Sequence, residues 1–339
     1  LGEKRAFVLS HARNLMIVKI VGYAEQVVRY YGMDDFQARL WIAHQRYPTK
    51  GRVWHPGGAH PFIGMNEALV HNGDFANYSS VTEYLRQHNT SPQFLTDTEV
   101  AALLFDLLHR VYEYPLEYVI EALAPTTDLD FDRLTAEKQG IYRAIQAAHI
   151  HGSPDGPWFF IIAQSDPDRD TFRLLGITDT SMLRPQVFAL QHGEVSIGLV
   201  ASEKQAIDAT LRSLSRDDPR FRPVADKYWN ARGGSHTDGG AFAFSVSGTN
   251  GSAGELTCTD KFGNRVETRR GETFKTGVRP TPPRDAADFA AFLKGAADRG
   301  ATDETFARVS ASAGAGGVDV FRWIVGQIEQ LGASSAQAR

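Results

Sequence analysis

The chain has 339 residues and carries 36 Lys plus Arg against 40 Asp plus Glu, a net charge of -4 with no long block of one sign. That balance offers no electrostatic footprint for nucleic acid or an anionic membrane, so small molecules or proteins are the expected partners. A single cysteine, Cys258, excludes an intrachain disulfide and a multi-cysteine metal site, as expected in a reducing compartment, with cytoplasm the default.

The length suffices to bury a substantial core. No apolar run approaches the roughly 18 residues of a membrane span, and the opening LGEKRAFVLSH lacks a signal-peptide core, so the chain reads as soluble. It begins with Leu1 rather than Met. Something has been removed ahead of Leu1, or the sequence is a part.

Residues 5–9 (RAFVL) and 16–21 (MIVKIV) flank the turn-prone HARN and predict a hairpin stopped by Gly22. Residues 24–31 (AEQVVRYY) predict a short helix ended by Gly32, and residues 39–44 (RLWIAH) a buried strand. Pro48, Gly51, Pro56, Gly57, Gly58 and Pro61 make the next stretch a loop; residues 67–71 (EALVH) are another strand, with Asn72-Gly73 as a turn. In residues 98–110, Val100, Leu103, Leu104, Leu107 and Leu108 fall on one helical face, with Thr96 or Asp97 able to cap its start. Residues 116–123 and 132–150 continue as helices.

The periodicity then changes. Residues 157–164, 171–176, 186–191 and 194–200 are short strands joined by turns, followed by a helix over 204–214 and a strand over 240–246. Helices in blocks and strands in blocks predict a layered α+β fold with antiparallel sheets and exclude a doubly wound nucleotide-binding fold. From Ser247 the texture shifts to a flexible joint, a hairpin turning at Phe262-Gly263-Asn264, a Pro-rich connector, and helices over 286–297 and 318–331. The expected division is a catalytic domain over 1–246 and an appendage of hairpin, linker and helices over 247–339.

A site that cleaves the side-chain amide of a free amino acid needs four things. They are a planar cation for the α-carboxylate, an anion for the α-ammonium, a nucleophile, and two donors aimed at the tetrahedral oxyanion. The stretch from His44 to Asn77 and its sequel TDTE over 96–99 offer three. Arg46 can fork a carboxylate, Asp97 stands before a helix and can receive an ammonium, and the Asn72 amide with the Gly73 N–H forms a donor pair. The nucleophile is missing.

HQRYPT (44–49), GAHPF (58–62), HNGDFAN (71–77) and TDTEV (96–100), with the later LRP (183–185) and ASE (201–203), resemble the class II glutamine amidotransferase domain. The likeness is greatest to the stand-alone amidotransferase proteins of the archaeal-type glutamate synthase group, and covers about residues 5–246. The resemblance implies an N-terminal-nucleophile hydrolase fold, a four-layer αββα sandwich of two antiparallel sheets between helical layers. It implies that Arg46 binds the glutamine α-carboxylate with Tyr47 and Thr49 lining the pocket, that Asn72 and Gly73 form the oxyanion hole, and that Asp97 binds the α-amino group. It also implies hydrolysis of glutamine to glutamate, with ammonia passed to a partner synthase subunit in a hetero-oligomer. Any flavin or iron-sulfur cofactor would belong to that partner, since the chain has no such motif of its own.

Family members use a cysteine at the mature N-terminus, directly before the first strand. This chain begins with Leu1, so by the family layout several dozen residues are expected ahead of it, the nucleophile included. An inactive glutamine sensor or scaffold, and a related hydrolase acting on another amide, are the rival readings. The histidines His44, His55, His60 and His71 invite a zinc reading, but they lack helical ligand spacing and an acidic partner, so no metal is expected. His149 and His151 are read as solvent-facing, Cys258 as a structural thiol, and GAGG over 314–317 as a linker rather than a phosphate cradle.

Overall fold

The computed structural model describes residues 14–45, 56–180, 186–230, 240–247 and 254–268. The chain divides into two units, Leu1–Phe274 and Lys275–Arg339, and all described residues belong to the first. The predicted strand over 5–9, the motif GAGG and the two C-terminal helices lie outside the described residues.

The first helix, α1 (Ala24–Tyr31), ends at Gly32 in the left-handed region, φ 60°, as its sequence predicts. Strands β1 (Phe62–Ile63) and β2 (Glu67–Gly73) follow, then helices α2 (Tyr78–Gln87), α3 (Asp97–Asp106), α4 (Leu116–Leu123), α5 (Asp128–Phe131) and α6 (Ala136–His149). The second half supplies β3 (Trp158–Asp166), β4 (Thr171–Thr178), β5 (Val187–Gln191), β6 (Ile197–Ala201), α7 (Lys204–Asp217), β7 (Lys227–Trp229), β8 (Phe242–Ser247) and β9 (Leu256–Asp260). Six strands pair in the order β1-β2-β3-β4-β8-β9 and three in the order β6-β5-β7, every pairing antiparallel.

Side-chain alternation shows how the layers stack. In β5, Phe188 and Leu190 pack with Phe242 and Phe244 of β8, while Ala189 between them packs with Ile207 and Leu211 of α7. Ala243 of β8, and Ala241 just before it, turn the other way, into a core with Leu85 of α2, Val100 and Leu104 of α3 and Ile120 of α4. The two sheets therefore face each other, helices α2 to α4 cover the six-stranded sheet and α7 covers the three-stranded one: an α+β sandwich of four layers. The sheets approach closely where β4 crosses β5, since a β-carbon on Gly176 would collide with the Phe188 ring. Each fully buried large side chain, such as Trp158, Phe160 or Leu104, contributes about 1.5–3 kcal/mol of burial.

Several elements differ from the sequence expectations. Residues 16–21 and 39–44 form no strand. Residues 39–43 pair with no described strand; they line one wall of a cleft of about 930 Å³ that runs between the sheets past Val70, Leu174, Leu199 and Phe244. Asn72-Gly73 is not a hairpin turn: both residues stay in register in β2, opposite Phe159 and Trp158. The helix expected to start at residue 132 starts at Ala136, because the Thr135 hydroxyl accepts the Lys138 N–H at 3.3 Å and sets the N-terminus there. After Asp106, α3 widens into a π turn over Leu107–Val111, closed by the Tyr112 N–H on the Leu107 carbonyl.

Helix α2 and strand β7 are additions that short, mixed-polarity stretches did not announce. His149 is not solvent-facing. It is 4% exposed, its Nδ1 2.7 Å from the Tyr84 hydroxyl and its Nε2 3.0 Å from the Tyr114 hydroxyl. The hairpin after residue 247 continues the large sheet, since β9 pairs with β8 over five residue pairs. Among the described residues no helix is long and apolar enough to cross a membrane.

Candidate active site

The end of β2 and the start of α3 meet. Buried His71 places Nδ1 3.7 Å from Asp97 Oδ1 and 3.5 Å from Thr98 Oγ1. The HNG and TDTE motifs, distant in the sequence, thus converge on one corner of the large sheet. Thr96 is the N-cap of α3, its hydroxyl accepting the Glu99 N–H at 3.1 Å. Asp97 is therefore relieved of capping and stands in the first turn, where the helix dipole favours a carboxylate. Its Oδ1 accepts the Thr98 N–H at 2.9 Å, and its side chain is 18% exposed.

Alternation along β2 turns His71 toward the helices and Asn72 toward the inter-sheet side. Asn72 is exposed, and its side chain makes no hydrogen bond to a described residue. Gly73 follows at φ 143°, a conformation that glycine tolerates and other residues resist. Just beyond it, the Asp74 N–H donates to the Pro157 carbonyl and the Ala76 N–H to the Asp155 carbonyl. The Asn77 amide in turn donates to the Ser153 carbonyl at 2.7 Å. The loop after α6 thereby braces the chain just past Asn72 and Gly73.

Arg46, Tyr47 and Thr49 lie outside the described residues, so the carboxylate clamp is not placed. The chain is described as far as His44 and Gln45, and the His44 ring stacks on His60 at 4.0 Å between centroids. The His60 Nε2 lies 3.0 Å from Thr98 Oγ1. The stretch that leads into Arg46 is therefore packed onto the same cluster as Asp97.

Three residues here went unassigned by sequence reasoning: Lys19, Thr98 and Glu99. The Lys19 ammonium donates to the Gly57 carbonyl at 3.1 Å and sits 4.3 Å above the Phe62 ring. Burial lowers its pKa to about 8, with Glu99 pulling in the opposite direction. Burial likewise raises the Glu99 carboxyl, against the N–H groups of Gln93 and Phe94 that donate to it at 2.6 and 2.7 Å. The available signal for Lys19 was one charge inside the apolar run MIVKIV, and for Thr98 and Glu99 their place beside Asp97.

Cys258 lies in β9, 2% exposed among Phe244 and its neighbours, and burial pushes its thiol up to about 12. It has neither the access nor the ionisation of a nucleophile. His60 and His71 both reach Thr98, but among the described residues no group of three or more His, Cys, Asp or Glu could hold a metal ion; His55 is outside them.

No family model matches the chain. It is 32% identical over 212 residues to an "Uncharacterized protein" of Archaeoglobus fulgidus, a match covering 62% of this chain and 53% of that one. Shorter stretches match glutamine–fructose-6-phosphate aminotransferases [isomerizing]. The identity is 34% over 104 residues in Pyrobaculum aerophilum, covering 30% of this chain and 16% of the enzyme. In Buchnera aphidicola it is 25% over 147 residues, covering 43% and 24%. The chain thus spans about half of the archaeal relative and less than a quarter of the two aminotransferases, to which its homology is partial.

Proposed function

We propose that this chain is the glutaminase component of a glutamate-synthase-like amidotransferase, a class II enzyme that hydrolyses glutamine to glutamate and delivers the ammonia to a partner synthase subunit. The observation that carries the reading is the approach of His71, which precedes Asn72 and Gly73 in β2, to Asp97 at the start of α3. In this reading Asn72 and Gly73 supply the donor pair and Asp97 the ammonium acceptor that a free α-amino acid with a side-chain amide requires. The partial matches to enzymes named for moving an amino group from glutamine support the same chemistry.

In this reading the Arg46 guanidinium forks the α-carboxylate, with Tyr47 and Thr49 lining the pocket, and Asp97 receives the α-ammonium. A thiolate adds to the side-chain amide carbon. The carbonyl electron pair moves to oxygen, which accepts hydrogen bonds from the Asn72 amide and the Gly73 N–H. The α-amino group of the nucleophilic cysteine takes the thiol proton as general base and returns it to the leaving nitrogen; collapse expels ammonia, and water then releases glutamate from the thioester and regenerates the thiol. In this reading the thiolate is that of an N-terminal cysteine, which the 339-residue sequence does not contain. Any flavin or iron-sulfur cofactor would be carried by the partner subunit, in a cytoplasmic hetero-oligomer.

One observation favours a second reading, a catalytically inactive glutamine sensor or scaffold subunit: the sequence's only cysteine, Cys258, is buried and un-ionised. Both are tested on the natural protein by N-terminal sequencing, a glutaminase assay and a glutamine-mimicking affinity label. Label on an N-terminal cysteine together with glutamate release is the result expected of the glutaminase. Glutamine binding without label or turnover establishes the sensor, and absence of glutamine binding overturns both.

A further inference from the structure

We propose that His71 is a positioning residue for glutamine: its Nδ1 orients the Asp97 carboxylate toward the substrate's α-ammonium, and Thr98 and His60 hold His71 in that role. The inference rests on the glutaminase reading and deepens it, adding to the contact residues a buried unit behind them.

His71 is 4% exposed and its ring stands 5.3 Å from that of Phe75 and 5.4 Å from that of Phe160, so neighbouring aromatics restrict its rotation. Its Nε2 is buried and meets no hydrogen-bond partner among the described residues. Leaving a buried polar nitrogen unsatisfied costs on the order of 1–3 kcal/mol, and such an atom calls for an explanation. With no acceptor at Nε2, the ring proton belongs on Nδ1, which faces Asp97 Oδ1 at 3.7 Å and Thr98 Oγ1 at 3.5 Å. The imidazole is thus polarised in one direction, toward the helix N-terminus that presents Asp97.

Asp97 Oδ1 is then held by the Thr98 N–H at 2.9 Å and faces the His71 Nδ1–H at 3.7 Å, an electrostatic contact on that same oxygen. Thr98 bridges the two imidazoles: its hydroxyl is 3.0 Å from His60 Nε2, and His60 is stacked on His44, two residues before Arg46. One buried chain, His60 to Thr98 to His71, therefore ties the strand end carrying Asn72 to the acceptor Asp97.

The test is isothermal titration of the full chain with L-glutamine and with its des-amino analogue, 4-carbamoylbutanoate. Asn at position 71 keeps a donor near the Nδ1 place, whereas Gln moves it toward the Nε2 place. Expected for His71→Gln is an about tenfold loss of glutamine affinity, with the analogue changed less than about twofold, because only the ammonium contact acts through Asp97. His71→Asn stays within about threefold of wild type; Thr98→Val follows His71→Gln in direction and Thr98→Ser restores binding. Melting curves check that each variant is folded. Should His71→Gln fail to fold, the Thr98 pair decides on the same criterion. Equal losses for both ligands, or no loss, overturn the positioning role. Wild type that prefers glutamine, with Asp97→Asn abolishing the preference and His71→Gln preserving it, leaves the glutaminase reading standing and sinks this inference. Wild type that does not bind glutamine removes both.

Discussion

Gly73 ends β2 directly against Pro157: a β-carbon at residue 73 would overlap the Pro157 carbonyl oxygen and come within 2.6 Å of the Trp158 Cα. The obstacle is backbone, which cannot swing aside as a flexible side chain would. The φ of 143° adds its own penalty for any other residue. Gly73→Ala is expected to lower stability by about 2–3 kcal/mol and to displace the Asn72-Gly73 donor pair. Urea denaturation gives the first quantity and glutamine titration the second. A variant of unchanged midpoint and affinity would show that the strand end adapts freely.

A second expectation concerns Glu67 and Asp106, two carboxyls held together beneath β1 and β2. Glu67 is 1% exposed; burial first, and the neighbouring Asp106 carboxylate second, push its carboxyl well above the usual range. Asp106 is committed elsewhere, accepting the Met65 N–H at 3.1 Å and the Arg110 Nε at 2.7 Å. A carboxyl raised in the folded state holds a proton that the unfolded chain releases near pH 4.5, so its contribution is complete below that pH. Stability then falls as pH rises through the folded pKa, by at most about 1.4 kcal/mol per pH unit. Glu67→Gln keeps the shape and the donor but removes the titration. Its stability should fall less steeply between about pH 5 and 8, measured by urea midpoints across that range; parallel curves for the two proteins would refute the assignment.

How much of this was legible beforehand depends on whether a feature is local. The Thr96 cap, the apolar face of Val100 and Leu104, and the Gly32 stop follow from neighbours in sequence, and all are present. Asn72, Gly73 and Asp97 could be named because their order and chemistry match a resemblance; Arg46, Tyr47 and Thr49, named on the same ground, fall outside the described residues. What could not be read is tertiary. The strand pattern of residues 39–44 needs a partner strand to become a strand, and no described strand pairs with it. Lys19 acquires its lowered pKa from burial against Gly57 and Phe62, residues of another segment. His149 passed for a surface residue at a helix end until Tyr84 and Tyr114, from two other elements, closed over it.

That enclosure of His149 carries a pH consequence. Tyrosine hydroxyls meet both ring nitrogens, His88 lies nearby, bonded to the Tyr84 carbonyl and the Tyr112 hydroxyl, and burial with His88 lowers the His149 pKa below 6.5. A histidine lowered on folding takes up its proton more readily when unfolded. Its contribution is therefore present above about pH 6.5 and is lost as pH falls through the folded pKa. His149→Gln should lower stability at pH 8 yet show a shallower decline from pH 6.5 to 5 than wild type. Chemical denaturation at those three pH values is the measurement, and an unchanged slope would remove His149 from the acid response.

The last expectation tests the buried pair that fastens β9 to the helices. Lys261 and Glu121 both have 0% side-chain exposure, with Nζ 3.7 Å from Oε2. The Glu121 carboxylate also accepts the Thr126 N–H at 3.0 Å, the Thr126 hydroxyl at 2.6 Å and the Gln146 amide at 2.7 Å. Lys261 donates to Thr126 Oγ1 at 3.1 Å. Coulomb attraction in such a place is offset by the desolvation of both charges, so the pair's net worth is small, whereas stranding one member is costly. Lys261→Met should therefore cost about 3–5 kcal/mol. Adding Glu121→Gln, which keeps the acceptor and removes the charge, should recover most of that loss, because the methionine then faces a neutral, hydrogen-bonded amide. Urea midpoints of the two single variants and the double variant give the coupling directly. Additive losses would mean that Lys261 and Glu121 act through their packing alone, and that Thr126 and Gln146 suffice to hold the carboxylate.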